Sequence, residues 1–116
     1  MILDTLQKYS AIVKEYEIAK FRTFGTAYEI VVKILLVDKS ALFVRDYLFA
    51  DGVRRYSYHW QNKKNECILR WDNAPHHPKT KTFPHHKHVG KKEKVEDSQA
   101  ITLDKALKHI DETLRS

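Results

Sequence analysis

Residues 54–72 read RRYSYHWQNKKNECILRWD, and this stretch decides the fold. Two alternating, aromatic-rich runs flank the polar tip Asn62-Lys63-Lys64-Asn65, which is the pattern of a β-hairpin. Closing the hairpin on that four-residue loop sets Gln61 opposite Glu66 and puts Tyr56/Trp71, Tyr58/Leu69 and Trp60/Cys67 on one face. The other face carries Arg55/Asp72, Ser57/Arg70 and His59/Ile68. Side chains alternate across a strand, so the aromatic set is the one to bury. Arg55, Ser57, His59, Arg70 and Asp72 then become neighbours on one exposed surface.

Working upstream, Leu42 and Val44 alternate with Phe43, Arg45 and Tyr47, and Ala50-Asp51-Gly52 supplies a turn into the hairpin. Tyr28, Ile30, Val32, Ile34 and Leu36 line one side of a strand over about 26–37, which Asp38-Lys39-Ser40 reverses. Leu3, Leu6, Ile12 and Val13 form a rough helical stripe that runs into a strand near Val13. Downstream, Pro75, Pro78 and Pro84 each remove a backbone donor, so 73–90 reads as one long loop. Leu103, Ala106, Leu107, Ile110 and Leu114 recur at helical spacing behind Thr102 as N-cap. The expectation is a single α+β domain over 1–116. It has an N-terminal helix (1–12), a five-stranded antiparallel meander (13–72), a His/Pro-rich functional loop (73–90) and a C-terminal amphipathic helix (101–115).

Charge singles out the same region. Between Arg54 and Lys92 ten Lys/Arg face two acids, a local charge of +8, while the remaining residues sum to −2. A concentrated positive charge points to an anionic partner more than to solubility. Hydrophobic residues at 42% and charged residues at 31% exclude a chain disordered throughout. Cys67, the one cysteine, has no disulfide partner and no zinc-ribbon spacing exists, which suits a reducing, cytoplasmic setting. The apolar stretch Ile30–Val37 is short and broken by Lys33, so neither secretion nor membrane insertion is expected.

Three readings compete for the histidines. In the first, His59, His76, His77, His85, His86 or His88 supply the acid and base of metal-independent RNA cleavage, imidazole titrating near neutrality. His59 with His76 or His77 leads this set, and Asp72 would orient a histidine or Arg70. Arg55, Arg70 and Lys87 would hold phosphate, with Ser57 and Tyr58 completing the nucleic-acid contact. In the second, His76, His77, His86 and His88 ligate a divalent metal, although their spacing matches no common zinc motif. In the third, the histidines hydrogen-bond loop backbone that lacks regular partners. The aromatic stripe Tyr56/Tyr58/Trp60 fits a core better than a stacking platform.

The runs YSYHWQ (56–61), RWDNAPHHP (70–78) and FPHHKHVG (83–90), in that order, resemble the signature of the TumE family of toxins. That resemblance implies the toxin of a type II toxin–antitoxin system, working in the cytoplasm and neutralised by a cognate antitoxin, usually a DNA-binding protein. It supplies no residue roles, so those given above rest on the residues alone. A ribonuclease is the function expected. A non-catalytic module gripping nucleic acid or protein and a histidine-ligated metal-dependent nuclease stand as alternatives, and a homodimer is left open.

Overall fold

The computed structural model describes residues 2–116. Helix α1 (Ile2–Lys8) leads into β1 (Val13–Phe24), β2 (Ala27–Leu36), β3 (Ala41–Leu48), β4 (Arg54–Gln61), β5 (Cys67–Asp72), β6 (His86–Val89) and β7 (Lys94–Asp97). Helix α2 (Leu103–Arg115) closes the chain. The strands form one antiparallel sheet in sequential order, β1 to β7. The predicted five-stranded α+β sheet is therefore corrected to a β-rich, seven-stranded meander with a helix at each end.

The two added strands lie where 73–90 was read as loop and just beyond it. Irregular chain occupies 73–85 only, and its last peptide bonds include a cis Phe83–Pro84. Strand β6, HKHV, escaped the sequence reading because its alternation is imidazole against Lys87 and Val89, not apolar against polar. Strand β7, KVED, is polar throughout except Val95 and is held by pairing with β6. The predicted helix over 1–12 ends at Lys8, and Tyr9 and Ile12 reach the core from the turns that follow. Met1 lies outside the described residues.

The register of β4 and β5 also differs. Gln61 pairs with Cys67 and Tyr58 with Trp71, with the extra residue Ile68 absorbed in a bulge between Trp60/Leu69 and Gln61/Cys67. The turn chemistry explains this: the Asn62 side-chain oxygen accepts the N–H groups of Lys64 and Glu66, and Asn65 adopts φ 63°. A shift of two residues preserves the faces, because side-chain direction repeats every second residue. The inward and outward sets predicted for the hairpin are accordingly kept from Leu69 to Asp72, with Ser57/Asp72 and His59/Arg70 as the outer pairs. At the bulge, by contrast, Cys67, expected inward, pairs with outer Gln61, and Ile68, expected outward, packs against the core.

One face of the sheet is covered and the other is open. Val32, Ile34, Leu36, Leu42, Val44, Tyr58, Trp60, Leu69 and Trp71 bury against Leu6 of α1 and Ala106, Leu107 and Ile110 of α2. Each such side chain contributes about 1.5–3 kcal/mol of transfer free energy. Polar atoms taken into this layer are paired. Trp60 Nε1 donates to Ser40 Oγ at 2.9 Å. Asp46 accepts both arms of Arg54 at 2.9 and 2.7 Å and the Tyr58 hydroxyl at 2.6 Å. Burial opposes the charge of Arg54, but hydrogen bonding to Asp46 outweighs it and raises the guanidinium pKa. Thr102 caps α2 by accepting the Lys105 N–H.

Candidate functional site

The open face is organised in rows set by strand register. One row runs Val31, Arg45, Ser57, Asp72, His86, Asp97 across β2 to β7. The next runs Lys33, Phe43, His59, Arg70, His88, Val95. Tyr47 opposite Arg55 begins a third. No helix lies over these side chains, so the helical layer leaves a cationic and aromatic surface exposed. Arg45 and Arg55 form no salt bridge among the described residues, and with Tyr47, Ser57 and Asp72 they line a groove of about 260 Å³.

At one end of the rows the imidazoles converge. Asp72 is buried, and its Oδ1 lies 2.9 Å from His86 Nε2 and accepts the Ala74 N–H at 3.0 Å. Its Oδ2 lies 3.4 Å from His88 Nε2 and 3.5 Å from Arg70 Nε. The chain between β5 and β6 folds back so that His77 stands over this pair, its ring centre 4.7 Å from that of His86 and 5.5 Å from that of His88. Three contacts hold that fold-back: Thr80 Oγ1 donates to His77 O, Lys81 N to Asp97 Oδ1, and Ser98 N to Thr82 Oγ1. One ligand-type atom each from His77, His86 and His88 lies within 4.8 Å of the other two.

His86 is 1% exposed. Its Nδ1 is 3.0 Å from Pro84 O and its Nε2 is 2.9 Å from Asp72 Oδ1, so both ring nitrogens face oxygen acceptors. His88 is held below the ordinary histidine pKa, first by burial and then by the Arg70 charge, against the pull of Asp72. Arg70 is fixed between Asp72 and Glu93, whose Oε1 lies 3.2 Å from Nη1.

The remaining predicted residues are distributed more widely. His59 lies across the sheet from Arg70, on the side away from His88; burial, then the Arg70 charge, lowers its pKa, and its Nε2 is buried without a hydrogen-bond partner. His85 turns to the helical face, where Nδ1 is 2.7 Å from the Tyr56 hydroxyl. His76 is exposed beside the cluster and contributes no atom to it. Lys87 alternates with His86 and His88 and so points toward α2, close enough to His109 to lower its pKa after burial has done so. Tyr58 is buried in the helical layer, its hydroxyl committed to Asp46, and offers nothing to the outer face.

Phe43, Arg45 and Tyr47 were not singled out from the sequence, yet they extend the surface beside His59 and Arg55. The signal was present in the alternation of β3 with Leu42 and Val44, since the partners of core residues must point outward. The seventh histidine, His109, packs edge-on to Trp60 and Trp71 in the helical layer.

Together these observations define a small β-meander protein with one face given to its core and the other to an arginine-lined imidazole–carboxylate centre. The family model described as Toxin TumE matches residues 2–115, and the chain belongs to that family. Membership makes it a toxin of a toxin–antitoxin system, with an antitoxin as its general partner. No curated protein and no solved structure matches it. No helix among the described residues is long and apolar enough to cross a membrane.

Proposed function

We propose that this toxin acts on RNA as a ribonuclease, with the open face of the sheet as its substrate surface and Arg70 as its phosphate anchor. The observation that supports this most is the row His59–Arg70–His88, one guanidinium flanked by imidazoles on adjacent strands of a face that no helix covers. Interstrand spacing puts the two imidazoles about 10 Å apart, enough to seat a phosphodiester between them. Arg45 and Arg55 extend the positive charge along the chain of phosphates, while Phe43 and Tyr47 provide π-faces for unstacked bases.

The chemistry follows from the groups on either side of Arg70. His59, kept neutral by burial and by Arg70, takes the ribose 2′-hydroxyl proton as the O2′–P bond forms. The P–O5′ bond breaks, and the leaving oxygen receives a proton on the side of the His77/His86/His88 cluster. Arg70 meets the charge that gathers on the phosphoryl oxygens in between. The products are a 2′,3′-cyclic phosphate and a 5′-hydroxyl.

The test is purified, antitoxin-free protein incubated with total RNA. Wild type is expected to fragment it, and His59→Ala to slow fragmentation at least 100-fold while binding antitoxin as wild type does. If RNA stays intact with excess active toxin, the ribonuclease reading is wrong. Loss of RNA affinity in step with toxicity, and no cleavage by either protein, would mark a non-catalytic binding module instead.

A further inference from the structure

We infer that His77, His86 and His88 form a binding site for one divalent transition-metal ion, with Asp72 as the adjacent carboxylate. The site is the cluster that the ribonuclease reading places opposite His59, but whether it holds a metal is a separate question from what the protein cleaves.

Four observations lead to this inference. Ligand atoms of three imidazoles, drawn from the 73–85 loop and from alternate positions of β6, lie within 4.8 Å of one another. Donors around a tetrahedral ion with bonds of ~2.0–2.1 Å are separated by roughly 3.4 Å, so a small inward adjustment of these atoms closes the site. His86 Nδ1 lies 3.0 Å from Pro84 O, the outer-shell contact a metal-ligating ring makes, and its Nε2 would exchange the Asp72 Oδ1 contact at 2.9 Å for the ion. The Asp72 carboxylate, buried beside two of the imidazoles, supplies an adjacent anion that would favour a cation there.

The donor chemistry selects the ion. Three imidazole nitrogens suit zinc and its borderline neighbours and are poor ligands for magnesium or calcium, which take oxygen. Three protein ligands would also leave a fourth position for water or substrate. A metal there would polarise a phosphoryl oxygen beside Arg70. Of the four histidines expected as ligands from the sequence, His76 does not enter this cluster.

The experiment is titration of untagged, chelator-stripped protein with Zn(II) by calorimetry and with Co(II) by visible absorbance. One equivalent should bind, with the intense d–d bands of a tetrahedral ion. His77→Ala, which alters only a half-exposed loop residue, should weaken binding at least tenfold, as should His86→Gln. His76→Ala should bind as wild type. Failure of wild-type protein to bind, or equal binding by His77→Ala and His86→Gln, overturns the site. Metal binding without RNA cleavage would sustain the site and defeat the ribonuclease reading. RNA cleavage undiminished by chelation, with no Zn(II) bound, would do the reverse.

Discussion

Replacement of Asp72 tests how the outer face is held together. The carboxylate side chain is 11% exposed; it accepts the Ala74 N–H at 3.0 Å and lies 2.9 Å from His86 Nε2, 3.4 Å from His88 Nε2 and 3.5 Å from Arg70 Nε. Asp72→Ala leaves two buried imidazoles facing an empty space and Arg70 with Glu93 alone, a loss of about 3–5 kcal/mol for a broken buried pair. Asp72→Asn keeps an oxygen for the Ala74 N–H but turns an NH₂ group toward His88 and Arg70. That removes one charge-assisted hydrogen bond, about 1.5–3 kcal/mol. Urea unfolding of metal-free protein reads both. With m near ~1.5–2 kcal/mol per molar, the alanine midpoint should fall by about 1.5–3 M and the asparagine midpoint by roughly half as much. If Asp72→Ala unfolds within about 0.3 M of wild type at unchanged m, Asp72 is not the organising anion of the cluster.

Other predictions concern the surface and the core. Replacing Arg45 and Arg55 together by alanine should lower affinity for single-stranded RNA and flatten the log–log salt dependence by about 1.4, two phosphate contacts at ~0.7 each. Phe43→Ala should cost about 1–3 kcal/mol of RNA binding in the same filter assay if a base stacks there. Tyr58→Phe removes the hydrogen bond to Asp46 from the opposite side of the sheet, so it should cost about 1.5–3 kcal/mol of stability with toxicity per folded molecule unchanged. For pH, His59 and His109 both have pKa values lowered in the fold, burial being the first cause of each. The unfolded chain therefore binds more protons than the folded one below the ordinary histidine pKa of ~6.5. Stability should be full above that value and decline as pH falls through 6.5 toward the depressed folded values, seen as a falling melting temperature. His85 and His88 are depressed in the same direction, so His59→Gln with His109→Gln should reduce that slope without abolishing it.

The strands that bury an apolar face were legible because alternation records burial directly: Val32/Ile34/Leu36, Leu42/Val44 and Tyr56/Tyr58/Trp60 all lie in the helical layer. The polar row of the hairpin was legible for the same reason, since Arg55, Ser57, His59, Arg70 and Asp72 are what remains when the aromatic set goes inward. The strands β6 and β7 were not legible, because their side chains answer to Asp72, Arg70 and each other rather than to water. Which histidines meet was equally hidden. His85 and His86 are sequence neighbours, yet one faces Tyr56 in the helical layer and the other faces Asp72, a separation that depends on strand pairing beginning at His86. Lys87 shows the same principle: its sequence neighbours belong to the site, and the pleat sends it to the other face.

The most direct test of the account compares an RNA oligonucleotide pool with DNA of the same sequences, both single-stranded, incubated with purified wild-type toxin with and without added zinc. Cleavage of RNA alone, giving 5′-hydroxyl and 2′,3′-cyclic phosphate ends and lost in His59→Ala, is the predicted result. Intact RNA under excess toxin that still arrests growth, or DNA cut as readily as RNA, would contradict it.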